Sequence, residues 1–193
     1  MPKEMVYLKV GFIIFEGMTS LDFVGAYDPI VRLKGMGFVE DLNFEIISHS
    51  KDEIRDINGL CFKPDKMGPD LGEYDMLIIP GGLKAKEFTG DKDFIEWIKS
   101  AKDCKQLVSV CTGSLILGAA GFLQDKRATT HPDYFDLLKQ YCKESLNERI
   151  VDEGEIITAR GVTSSIDVGL YICEKIAGHE VKEKIRKRMD YQT

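Results

Sequence analysis

The stretch Leu107-Val108-Ser109-Val110-Cys111-Thr112-Gly113-Ser114-Leu115-Ile116-Leu117-Gly118-Ala119-Ala120-Gly121 constrains the chain more than any other. Leu107 to Val110 reads as a short buried strand. Cys111 then stands at a break, and the small-residue and leucine run after it has helical spacing closed by Gly121. A cysteine between a strand end and a helix start sits on a sharp turn with its side chain held out of the sheet, the geometry of a nucleophile elbow. Unpaired N–H groups and the positive end of the dipole at the helix start favour thiolate over thiol, so Cys111 is expected to be more ionised than a free cysteine. Gly113 and Gly118 leave room for a ligand or for a packed neighbour.

Around this stretch, apolar strands alternate with helical patterns. Leu8 to Phe15 reads as a fully buried parallel strand. A helix capped by Thr19 or Ser20 follows, carries Asp22 in its first turn and ends at Gly35-Met36-Gly37. Phe44 to Ser48 is a second strand, and Ile54 to Phe62 a hairpin whose Asn58-Gly59 pair suits a type I′ turn. Pro64 to Gly72 connects to the buried strand Met76-Leu77-Ile78-Ile79-Pro80. Gly81-Gly82 comes next and reads either as a tight turn or as an anion or oxyanion pocket built from backbone N–H groups. Asp91 to Lys102 is an amphipathic helix with the single Trp97. Beyond the elbow come a short strand at Arg127 to Thr130, then His131-Pro132 opening a helix, and two short strands at Arg149 to Asp152 and Ile156 to Ala159. A long helix capped by Ser164 or Ser165 runs to Gly178, and a charged helix ends the chain. The alternation predicts one α/β domain over residues 1–193: a flavodoxin-like, doubly wound, mostly parallel sheet with helices on both faces. Reactive groups in such sheets gather beyond the carboxyl ends of the strands, where Asp22, Gly81-Gly82 and Cys111 all fall.

Charge and cysteine usage exclude several classes. With 26 basic and 32 acidic residues, the net charge of -6 argues against a nucleic-acid-binding surface. No apolar run is long enough to span a bilayer, and Met1 to Met5 lacks the apolar core of a signal peptide, so the expected location is the cytoplasm. The five cysteines have scattered spacings and form no CxxC pair, which argues against a zinc site or a disulfide framework. No helix-turn-helix pattern follows the last core helix, which reads against direct transcription control.

Val108 to Gly121 followed by Arg127-Ala128-Thr129-Thr130-His131 resembles the DJ-1/PfpI superfamily. Met18 to Gly25, Ile79 to Gly82, Ile157-Thr158 and Gly161 to Asp167 agree with it. Within that superfamily the Cys-Thr-Gly elbow together with Asp22 most resembles the isocyanide hydratase branch, and the sensor domains of certain AraC-type regulators share nearly the same blocks. The resemblance implies a homodimer, a nucleophilic Cys111 and an acidic partner, Asp22. It implies attack of Cys111 on an isocyanide, with hydrolysis of the thioimidate to an N-substituted formamide and no metal or organic cofactor. Thr112 is expected to hold Asp22 through a side-chain hydrogen bond, and backbone N–H groups at Gly82 and Thr112 to stabilise developing negative charge, with Gly81 and Gly113 in the same pocket. Peptidase-like members carry His directly after the cysteine; Thr112 stands there and disfavours a peptidase. His131 reads either as a base near the pocket or as a capping or core histidine. Two alternatives stay open: a cofactor-free glyoxalase acting on methylglyoxal, and a non-enzymatic redox or ligand sensor built on Cys111.

Overall fold

A computed structural model describes residues 8–192. Its elements in chain order are β1 (Leu8–Ile13), α1 (Ser20–Gly35), β2 (Leu42–Ser48), β3 (Ile54–Arg55), β4 (Cys61–Phe62), β5 (Lys66–Met67), β6 (Met76–Ile79), α2 (Ala85–Phe88), α3 (Lys92–Lys99), β7 (Gln106–Val110), α4 (Gly113–Ala119), β8 (Arg127–Ala128), α5 (Phe135–Leu138), β9 (Glu144–Ser145), β10 (Ile150–Asp152), β11 (Ile156–Ala159), α6 (Ser164–Ala177) and α7 (His179–Arg188).

The main sheet has the order β10-β11-β7-β6-β1-β2-β5. All pairings in it are parallel except β10 with β11, an antiparallel edge hairpin. The inner strands are apolar on both sides because both sides are covered: every residue of β6 is buried, as are four of the five in β7. Helices surround the sheet in two groups. α1 packs on α6 and α6 on α7, whereas α2, α3 and α5 pack on α4. Reading β2-β1-β6-β7-β11 gives the flavodoxin order, so the chain reverses its direction of winding between β1 and β6. Such a switch is where reactive groups of these sheets gather, and α1 and the glycine pair follow the carboxyl ends of β1 and β6 there.

Several local expectations are corrected. β1 stops at Ile13, two residues short of the expected Phe15. Thr19 takes the cap position of α1 without a side-chain bond, and Ser20 instead donates to Asp56 Oδ2 at 2.6 Å. Thr163, not Ser164 or Ser165, precedes α6; both serines lie inside its first turn. The β3–β4 hairpin forms, but Gly59 alone has positive φ in its loop, so the turn is not type I′. Asp56 closes the loop, its Oδ1 accepting from the N–H groups of Asn58 and Leu60 at 2.8 Å. Strand β5, an edge strand of the main sheet, lies in the stretch read as a connector, and Arg127-Ala128 pairs with β9 outside the main sheet. The expected helix through Lys102 ends at Lys99 and continues as a 3-10 turn. Met1 to Met5 lies outside the described residues.

Candidate active site at the cysteine elbow

Cys111 directly follows β7 and has φ of 55°; it and Asp190 are the non-glycine residues with positive φ among those described. A residue with a Cβ adopts this conformation only where its surroundings hold it. Here three hydrogen bonds hold it. The Cys111 N–H donates to Ala159 O at 2.9 Å, and the Cys111 carbonyl accepts from Thr130 Oγ1 at 3.0 Å and from Ser114 Oγ at 3.1 Å. Gly113 completes the turn: a Cβ there would collide with the carbonyl of Ile79 and stand 2.7 Å from that of Pro80. Its missing side chain thus admits a packed backbone, and α4 starts hard against the end of β6.

Asp22 comes from the first turn of α1 and is fully buried. Its Oδ2 accepts from the Gly81 N–H at 3.0 Å, while Oδ1 meets no nitrogen or oxygen partner among the described residues. The Thr19 N–H donates to Gly81 O at 2.9 Å and ties the start of α1 to the same glycine. The carboxyl and the Cys111 side chain are close enough to shift each other's pKa. Burial raises the Asp22 pKa to about 7, although the Gly81 N–H and the Cys111 contact pull it down.

Three expectations for this site are overturned. Cys111 is not more ionised than a free cysteine. Burial pushes its thiol up to about 12, the Asp22 charge pushes the same way, and the N–H and hydroxyl of Thr112 recover only part of the shift. The helix terminus is outweighed because the sulfur is almost sealed from water, with Cys111 5% exposed. Second, Thr112 does not bond Asp22. Its hydroxyl donates to Gly82 O and accepts from the Gly82 N–H, both at 2.9 Å. Third, Gly81 and Gly82 are not free anion donors, because their N–H groups are taken by Asp22 and Thr112. The glycine pair is a clamp: one residue holds the acid, the next holds the residue beside the nucleophile. Gly81 carries no side chain because a Cβ would lie 2.5 Å from Thr112 N and 2.9 Å from Asp22 Oδ2. The Thr112 N–H is a backbone donor that acts on the Cys111 sulfur and pulls its pKa down.

His131 is a capping histidine. Its Nδ1 accepts from the Asp133 N–H at 3.3 Å, and its ring stands edge-on to Tyr134. No bond joins it to Cys111 or Asp22 among the described residues. Of the holders of the elbow, Thr130 lies in a block that carried the family resemblance but without an assigned role, and Ala159 was read only as the end of a strand. Among the described residues no group of three His, Cys, Asp or Glu side chains is placed to hold a metal ion, and no helix is long and apolar enough to cross a membrane.

The fold and the site define a class: an α/β protein with a buried cysteine–carboxylate pair at the winding switch of a flavodoxin-ordered sheet. The DJ-1/PfpI family model matches residues 8–175, and the chain belongs to that family. It is 32% identical to isonitrile hydratase from Pseudomonas putida, over 95% of this chain and 78% of that protein. It is 30% identical to protein DJ-1alpha of Drosophila melanogaster, over 92% of this chain and 81% of the relative. Against the HTH-type transcriptional regulator CdhR of Pseudomonas aeruginosa the identity is 24%, over 94% of this chain but 57% of the regulator. Among solved structures, a ThiJ/PfpI family protein from Pseudomonas syringae superposes with a TM-score of 0.86 at 25% identity, covering 99% of this chain and 79% of that one.

Proposed function

We propose that the protein is a cysteine-dependent isocyanide hydratase that converts an isocyanide to an N-substituted formamide. The observation that carries this reading is the Asp22–Cys111 pair: two buried groups in side-chain contact, one with a pKa near neutrality and one far above it. The similarity to isonitrile hydratase supports the choice of reaction.

The two pKa values set the order of proton transfers. Above about pH 7 the pair holds one proton, on sulfur, beside an ionised Asp22. As sulfur attacks the terminal isocyanide carbon, Asp22 takes the thiol proton and delivers it to that carbon, giving the thioimidate R–N=CH–S–Cys111. Water then adds across the C=N bond, Asp22 moving a proton from the water to nitrogen. The adduct collapses to R–NH–CHO as the C–S bond breaks and the hydroxyl proton returns through Asp22 to sulfur. The Thr112 N–H at the sulfur stabilises negative charge as it develops. Thr112 and Gly82 keep Gly81 in place and, through its N–H, the carboxyl of Asp22. This sequence uses no metal and no organic cofactor, and we place it in a homodimer as the family resemblance implies.

The test is to incubate the purified protein with an aryl isocyanide and follow the formamide, with Cys111→Ala as control. Formamide that depends on Cys111 is the expected result. Its absence from protein whose Cys111 is verified as reduced refutes the reading; lactate formed from methylglyoxal without glutathione then favours the glyoxalase.

A further inference from the structure

Arg160 is the residue directly after β11, whose last residue, Ala159, pairs with Val110 and accepts the Cys111 N–H. Its side chain thus starts one strand away from the elbow, at the carboxyl edge. The neighbouring arginine at that edge, Arg149, whose carbonyl accepts the Arg160 N–H, has a carboxylate partner in Asp167. Arg160 has none among the described residues. Its Nε is buried without a hydrogen-bond acceptor, and its guanidinium rests over the ring of Phe135 at 5.9 Å. Arg160 is half-buried, and a buried Nε on a guanidinium without an acceptor is uncommon in a chain where acids outnumber bases.

The surroundings of Arg160 supply a second donor. His131 Cδ2 lies 3.7 Å from where a Cβ on Gly161 would stand, so the histidine ring is beside the residue that follows Arg160. His131 Nδ1 accepts the Asp133 N–H and lies 3.6 Å from the Asp133 carboxylate, so in the neutral tautomer this bond selects, the ring donor is Nε2, which has no acceptor among the described residues. The segment that carries His131 also touches the elbow, since Thr130 holds the Cys111 carbonyl. Arg160 and His131 therefore arrive from two different segments, each bonded to Cys111. A guanidinium fork presents paired N–H groups matched to a carboxylate.

We infer that Arg160, with His131 beside it, is a carboxylate-binding subsite, and that the physiological substrate carries a carboxylate tail beyond the carbon attacked by Cys111. The inference rests on Cys111 as the nucleophile proposed above and adds the substrate's charge and the residues that select it.

The experiment compares an aryl isocyanide with its para-carboxylate, in the wild type and in Arg160→Gln and Arg160→Lys, by kcat/KM. Arg160→Gln is expected to lower the preference for the carboxylate by about tenfold or more, the share of a charge-assisted bond, with Arg160→Lys intermediate. The alkylation rate of Cys111 by iodoacetate relative to iodoacetamide reads the same selectivity without any isocyanide, and Arg160→Gln is expected to lower that ratio too. A thermal melt establishes that each variant is folded. Ratios that Arg160→Gln leaves unchanged, or an equal loss on charged and neutral reagents, overturn the subsite. Arg160-dependent alkylation without formamide production refutes the hydratase alone; formamide production with a selectivity indifferent to Arg160 refutes the subsite alone.

Discussion

Replacing Thr112 by valine removes one hydroxyl and keeps the shape of the side chain, so its effect can be worked from two bonds. Thr112 is 3% exposed, and its hydroxyl accepts from Gly82 N–H and donates to Gly82 O, both at 2.9 Å. Gly82 is itself buried, so water cannot substitute. Each backbone group left without a partner costs about 1–3 kcal/mol, and two cost roughly 2–6 kcal/mol. At about 2–4 °C per kcal/mol for a chain of this size, that lowers the melting temperature by roughly 4–24 °C. Urea unfolding measures it as a lower midpoint at unchanged slope. Thr112→Ser keeps both bonds and loses a methyl group, about 1 kcal/mol. The bonds also tie Gly82, and through Gly81 the carboxyl of Asp22, so activity should fall together with stability in the valine variant and recover in the serine variant. A Thr112→Val protein within about 1 kcal/mol of wild type would refute the clamp. Equal losses in the valine and serine variants would show that the methyl group, not the hydroxyl, matters.

Three further outcomes are expected. Asp22 is an acid whose folded pKa is raised from 3.8 to about 7, so its contribution is fully present below pH 3.8 and is lost as pH rises through 7. Wild-type stability should decline by about 4 kcal/mol relative to Asp22→Asn between pH 4 and 8, read from melting curves of both proteins; parallel curves would refute the shift. Formamide production should rise with pH through about 7 as Asp22 becomes able to accept the thiol proton, and Asp22→Asn should be greatly slowed while still folded; a fully active Asp22→Asn enzyme would rule out the proton transfers assigned to it. Gly113→Ala drives a Cβ against the carbonyls of Ile79 and Pro80, backbone atoms that retreat only by opening β6 from α4, and should cost about 1–3 kcal/mol with loss of activity, measured by urea unfolding and turnover.

The sequence by itself determined the sheet and the edge where chemistry gathers. Apolar runs such as Met76-Leu77-Ile78-Ile79 are strands because only a strand covered on both faces suits them, and their alternation with helices makes the sheet parallel. The break at Cys111, with small residues after it, was legible for the same local reason, as was Asp22 in a first helical turn. What only the tertiary structure decided is which group meets which, and how dry the meeting place is. Thr112 adjoins Cys111 in the chain, yet its hydroxyl belongs to Gly82, thirty positions away, because the Gly81-Gly82 turn folds between Asp22 and α4. The Asn58-Gly59 turn took another form because Asp56 bonds the loop and Ser20 together. The ionisation of Cys111 reversed for the most general reason. A helix terminus is a local feature that sequence displays, whereas burial is the sum of every element packed around the sulfur. At this site that sum exceeds the local field and leaves one proton shared between Cys111 and Asp22.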